Sequence, residues 1–144
     1  MLALILLNAP SWFDDPLSLL QVASWLLLFA SLGLVAGALR LLRQIGRPAS
    51  DAPAGTNFLF ENTTVLVESG LYRFIRHPMY ASLLALGWGA FLKRPSVIGL
   101  GLALGASGFL AATAAVEERE NLARFGVTYA AYMKRTRRFV PFVI

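Results

Sequence analysis

No cysteine occurs in the 144 residues of this chain. Disulfides, thiolate nucleophiles and cysteine-ligated metal sites are therefore excluded. A single histidine, His77, leaves too few ligands for a conventional zinc site. Charge is also scarce, at 15% of residues against roughly 25% in soluble domains. Acids are the scarcer sign, with 8 Asp+Glu against 13 Lys+Arg and a formal net charge of +5. Apolar residues fill the space: 57% of the chain is hydrophobic and its mean hydropathy is +0.62. That balance belongs to a membrane protein rather than a soluble one. The basic residues flank apolar runs, so their partners are lipid head groups, and nucleic acid is not expected. The length suits one domain, read as an N-terminal helix and loop (1–64) followed by a motif-bearing core (65–144).

Met1–Leu7 is apolar but has no basic n-region and no clear cleavage site, so it reads as part of the mature protein. Trp12 and Phe13, between Pro10 and Pro16, suit an interfacial anchor. The chain from Pro16 to Leu39 is uncharged, longer than the roughly 20 residues a spanning helix needs. Gly33, Ala36 and Gly37 give it a small-residue side, and Arg40, Arg43 and Arg47 close it. Gln44–Thr64 reads as a loop, with Val65–Val67 as a short extended segment. Asn62-Thr63-Thr64 matches a glycosylation sequon, but the expected topology places it in the cytoplasm. Met79–Leu92 is a second apolar stretch, short for a full span, and Lys93-Arg94-Pro95 turns the chain. Ser96–Val116 is a third run, and Gly99, Gly101, Gly105 and Gly108 predict a hairpin with a close packing face. From Glu117 a polar helix is expected, with Leu122, Phe125, Tyr129, Tyr132 and Met133 at helical spacing among Arg124, Lys134 and Arg135. The tail from Arg138 is aromatic and apolar and is expected to dock back on the membrane.

The predicted fold is thus all-α: an integral membrane bundle of about three transmembrane helices with a cytoplasmic amphipathic C-terminal helix. The positive-inside rule places Arg40–Arg47, Arg73, Arg76 and the C-terminal cluster in the cytoplasm. Lys93 and Arg94 fall on the other side, where both would snorkel.

Three constellations can carry chemistry. In Arg76-His77-Pro78-x-Tyr80, with Tyr72 just before it, Pro78 is suited to the first turn of a helix and sets His77 near its N-cap. A helix start with donors beside it suits a carboxylate or phosphate. The competing reading makes the arginines topology residues and His77 a cap. Glu117 and Glu118 are adjacent, about 100° apart on a helix, so one faces the bundle and the other water. Acids at that end oppose the macrodipole, a cost that points to a use such as binding an ammonium group. Alternatively they pair with Arg119 and Arg124 on a solvated face. Phe125-Gly126-x-x-Tyr129-x-x-Tyr132, followed by Arg138-Phe139-x-Pro141, either walls an adenine or lipid pocket or seats the helix at the interface.

Together, Leu66-Val67-Glu68-Ser69-Gly70-Leu71-Tyr72-Arg73-x-x-Arg76-His77-Pro78-Met79-Tyr80, the Glu117–Tyr132 string and Arg138-Phe139-x-Pro141 resemble the isoprenylcysteine carboxyl methyltransferase and phospholipid methyltransferase superfamily of integral membrane enzymes. The resemblance covers about residues 65–141, and Gly99-x-Gly101 resembles a phospholipid N-methyltransferase signature. Where members often carry glycine two residues after the motif tyrosine, this chain has Ser82.

The resemblance implies S-adenosylmethionine (SAM) as methyl donor at the cytoplasmic face. Tyr72, His77, Pro78, Tyr80, Glu117, Glu118 and Tyr129 would surround it, with Glu117 or Glu118 on its amino group. Arg76, His77 and Arg138 would serve the reaction, Arg138 near the acceptor or clamping the tail. The expected acceptor is lipidic or a small hydrophobic molecule, methylated on oxygen or sulfur, with phospholipid N-methylation as the alternative. A bacterial inner membrane is the expected location. The contrasting reading is a non-catalytic scaffold or a haem- or lipid-binding accessory protein with His77 as an axial ligand.

Overall fold

The computed structural model describes residues 1–14, 17–45 and 66–141. Most of the expected 44–64 loop, the Asn62 sequon, Pro16, Arg47, Val65 and the last three residues lie outside the described residues. Among the described residues, five α-helices run in order: α1 (Leu2–Asn8), α2 (Leu19–Ile45), α3 (Pro78–Lys93), α4 (Val97–Phe125) and α5 (Val127–Arg135). Short 3-10 turns occupy Ala9–Ser11 and Gly70–Arg73. Among the described residues there is no strand, only an isolated parallel bridge between Ile75 and Arg137.

At 1.5 Å per residue, α2 and α4 are about 40 Å long and exceed the roughly 30 Å of a hydrocarbon core. Only 17% of the apolar window of α2, and 22% of that of α4, is buried within the protein. Their exposed Leu26, Phe29, Leu32, Leu104 and Phe109 need an apolar surrounding that water does not provide. With 16 residues, α3 reaches only about 24 Å, held between Pro78 and the Lys93–Pro95 turn. Among the described residues, two helices, α2 and α4, are long and apolar enough to cross a bilayer, and α3, expected as a third, falls short of that length.

The polar segment from Glu117 is not a separate helix but the continuation of α4 to Phe125. The break comes at Gly126, whose φ of 56° and ψ of −129° lie where essentially only glycine is comfortable.

The described residues divide into two compact units: Met1–Gly33 with Tyr80–Val116, and the described parts of Leu34–Met79 and Glu117–Ile144. The first has Leu4, Ala90 and Ala103 at its centre, with Ile5, Trp88 and Phe91 against them. Side chains tie its helices together through backbone carbonyls, a strong device where water is excluded. Asn8 Nδ2 donates to Ala90 O at 2.8 Å, and Ser24 Oγ to Gly89 O at 2.7 Å. A Cβ on Gly89 would stand 3.1 Å from Leu28 and 3.2 Å from the Ser24 carbonyl, so here the absent side chain permits close approach. The α4 glycines behave otherwise. A Cβ added at Gly101, Gly105 or Gly108 would meet nothing within 4 Å among the described residues beyond the helix's own backbone. The buried face of α4 in this unit is instead Gly99, Ala103, Leu110 and Ala114. The close packing expected of Gly101, Gly105 and Gly108 is thus not where the helix packs, because they lie off that face. Nor does Lys93 snorkel: it is 4% exposed.

The second unit packs Ala38, Leu42, Val67 and Tyr72 together, with Leu41 and Met79 against them. Tyr132 Oη donates to the Tyr72 carbonyl at 2.7 Å. The chain after α5 docks on residues 74–77: Arg137 N donates to Phe74 O, Arg76 N to Arg137 O and His77 N to Arg138 O, at 2.7–3.0 Å.

Candidate active site

Pro78 opens α3 and holds His77 just ahead of it, the placement its ring geometry favours. Both residues are buried. The backbone N–H groups of Arg76 and His77 are spent on the C-terminal strap, so the anion cradle expected there has side chains as its donors.

Those side chains converge on Glu118, which is 3% exposed. Arg76 Nε donates to Glu118 Oε1 at 2.7 Å, while its Nη1 donates to the Thr136 and Met133 carbonyls at 2.5 and 3.2 Å. Arg138 Nε and Nη2 donate to Glu118 Oε2 at 3.0 and 2.8 Å. His77 Nε2 lies 3.4 Å from Glu118 Oε1, and His77 Nδ1 lies 3.4 Å from Glu117 Oε2. The cluster joins residues 42 and 20 positions apart, so Glu118 is not a member of a local surface ladder with Arg119 and Arg124. Both glutamates reach His77 despite their angular separation, with Glu118 enclosed and the Glu117 side chain 33% exposed.

Burial opposes protonation of His77, but hydrogen bonds and charge from Glu117 and Glu118 outweigh it and raise its pKa above the ordinary imidazole value. Tyr72 is pushed up by burial and by the Glu117 charge. Tyr129 and Tyr132 are raised too, mainly by burial. All three phenols are therefore neutral near physiological pH.

Of the residues expected at the site, Arg76, His77, Glu117, Glu118 and Arg138 come together directly. Tyr72 and Tyr129 are interior members of the same unit, the latter bonded to Asn121. Tyr80 stands in the first turn of α3 and belongs to the other compact unit. Two contributors were not singled out from sequence. Thr136 is 1% exposed and its carbonyl fixes Arg76. Phe139 sets its ring 6.1 Å from the His77 ring. Thr136 carries no sequence signal, since its use is a backbone carbonyl. Phe139 was visible only as part of a longer string.

Chemically, the cluster offers guanidinium and imidazole donors for an anion and, at Glu117, a partly exposed carboxylate for a cation. Compared with known proteins, the chain matches the family model described as phospholipid methyltransferase over residues 20–127. The match includes Arg76–Pro78 and Glu117–Glu118 but stops short of Arg138. No curated protein and no solved structure matches the chain.

Proposed function

The chain belongs to the phospholipid methyltransferase family, and from that premise we propose that it transfers a methyl group from SAM to a lipidic or membrane-soluble acceptor at the cytoplasmic membrane face. The observation that carries this reading is the convergence of Arg76, His77, Glu117 and Arg138 around the enclosed Glu118 carboxylate. SAM, when bound, supplies an electrophilic methyl on a sulfonium, together with an α-carboxylate, an α-ammonium and an adenine. The donor set fits those groups. Both oxygens of Glu118 are taken by arginines, so its part is to hold the two guanidiniums in place. Glu117, more exposed and beside His77, is the carboxylate placed to receive an ammonium. Arg138, 40% exposed, still presents guanidinium surface to an arriving anion. Phe139 supplies an apolar ring beside the imidazole. In-line methyl displacement gains mostly from positioning and exclusion of water.

Hydrogen bonds and charge from Glu117 and Glu118 raise the pKa of His77, the candidate proton acceptor of the site, above that of an ordinary imidazole. An acceptor that arrives as a carboxylate or thiolate needs no proton acceptor, so the first reading is O- or S-methylation. The second reading, N-methylation of a phospholipid amine, is favoured by the family that matches. Calorimetric titration of SAM into the detergent-solubilised protein tests the donor site, with His77→Ala and Glu118→Gln alongside. Saturable binding weakened tenfold or more by both supports the reading, and no binding to folded wild type in the presence or absence of lipid sinks it. Radiolabelled SAM with membrane lipid extract then sorts the acceptor: label released as methanol by base is an ester, and label retained on an amine head group is N-methyl.

A further inference from the structure

Within the first compact unit, and sharing no residue with the Glu118 cluster, an open pocket of about 460 Å³ is lined by Ser11, Ser18, Gln21, Lys93 and Arg94, with Asp14 on its wall. We propose that it seats the phosphodiester of a zwitterionic membrane phospholipid, a lipid site separate from the methyl-transfer site and independent of that reading.

Lys93 supplies charge rather than a free donor. Its ammonium donates to Gln21 Oε1 at 3.0 Å and to the Trp12 carbonyl at 3.3 Å, and sits 3.6 Å over the Trp25 ring. Gln21 Nε2 in turn donates to the Lys93 and Ser11 carbonyls. The wall is therefore built and rigid, with a positive charge set behind it. Arg94 is exposed and supplies the guanidinium that can fork onto phosphate oxygens. The Ser18 hydroxyl accepts from Gln21 N at 3.3 Å and keeps its own proton to donate. The surroundings decide between a lipid and a free phosphate. Phe13, Leu17 and Leu19, next in sequence to lining residues, and Val97 and Ile98, just beyond Pro95 of the lining, are all exposed and apolar. They form the surface that acyl chains would cover while the head group enters the pocket. Asp14 works against a second negative charge and in favour of a head group ending in a cation.

Native mass spectrometry of the full chain, released from detergent with added lipid, tests this. The probes are phosphatidylcholine, phosphatidate, diacylglycerol and soluble glycerol 3-phosphate. Phosphatidylcholine is expected to be retained over the other three, and Arg94→Gln to lower its retention fivefold or more with an unchanged melting temperature. Asp14→Asn is expected to raise phosphatidate retention towards that of phosphatidylcholine. Equal retention by wild type and Arg94→Gln, or of diacylglycerol and phosphatidylcholine, overturns the site. Glycerol 3-phosphate binding as tightly as lipid overturns the lipid as its occupant. Unchanged selectivity in Asp14→Asn overturns the assignment of a zwitterionic head group.

Discussion

Glu118 holds the guanidiniums of Arg76 and Arg138 and lies 3.4 Å from His77. Replacing it by Gln leaves Arg76, itself buried, without a countercharge, and breaking such a buried pair typically costs about 3–5 kcal/mol. Glu118→Gln should therefore lower the unfolding free energy by about that range in denaturant titrations in detergent. Arg138→Gln should cost about 1 kcal/mol or less, because its guanidinium is 40% exposed. His77 makes stability depend on pH. Its folded pKa lies above the unfolded value near 6.5, so its contribution is fully present below the unfolded pKa and fades as pH rises through the folded one. The stability difference between wild type and His77→Gln should accordingly be larger at about pH 6 than at about pH 9. A difference flat across that window would show that Glu117 and Glu118 do not govern the imidazole. Residue types and spacing nominated Arg76, His77 and the Glu117–Glu118 pair, and the family resemblance added Arg138. That Glu118 is the hub, with Glu117 left to one side of His77, depends on rotation about α4 and on where the tail lies, which sequence spacing leaves open.

At the scale of elements, glycine changes meaning from one helix to the next. At Gly126 a positive φ with extended ψ lets α4 end and α5 start. Gly126→Ala should cost about 1–3 kcal/mol by thermal unfolding, although its Cβ would meet nothing. Gly89→Ala should destabilise through its contact with the Ser24 backbone, whereas Gly105→Ala should be neutral or stabilising by up to about 1 kcal/mol. If Gly105→Ala proved as harmful as Gly89→Ala, the open face of α4 would have to be covered in the membrane. The apolar runs were plain in the sequence because length and hydropathy are additive along a chain. Which glycines pack was not, because the spacing of small residues is the same on a covered face and on an open one. The end of α4 was also misplaced: a change from apolar to polar composition does not interrupt backbone hydrogen bonding, and only Gly126 does so.

For the whole molecule, the C-terminal strap completes the cluster around Glu118. Thr136–Arg138 supplies the carbonyl that fixes Arg76, three backbone hydrogen bonds to residues 74–77 and the Arg138 guanidinium. Ending the chain after Arg135 should abolish saturable SAM binding while leaving the protein in the membrane pellet after an alkaline wash, since α2 and α4 remain intact. Retained SAM binding in that truncation would remove the strap from the proposed site. That this is a helical membrane protein followed from composition and run length alone, because the cost of placing charge or unpaired backbone in hydrocarbon acts on each segment separately. Three motifs in a fixed order likewise carried the family resemblance. Tertiary structure alone decided that the histidine, the glutamate pair and the tail arginine meet around one buried carboxylate, and that Lys93 is an interior cation rather than a snorkelling one. Those outcomes depend on contacts between residues tens of positions apart, whose free energy exists only once the chain has closed on itself.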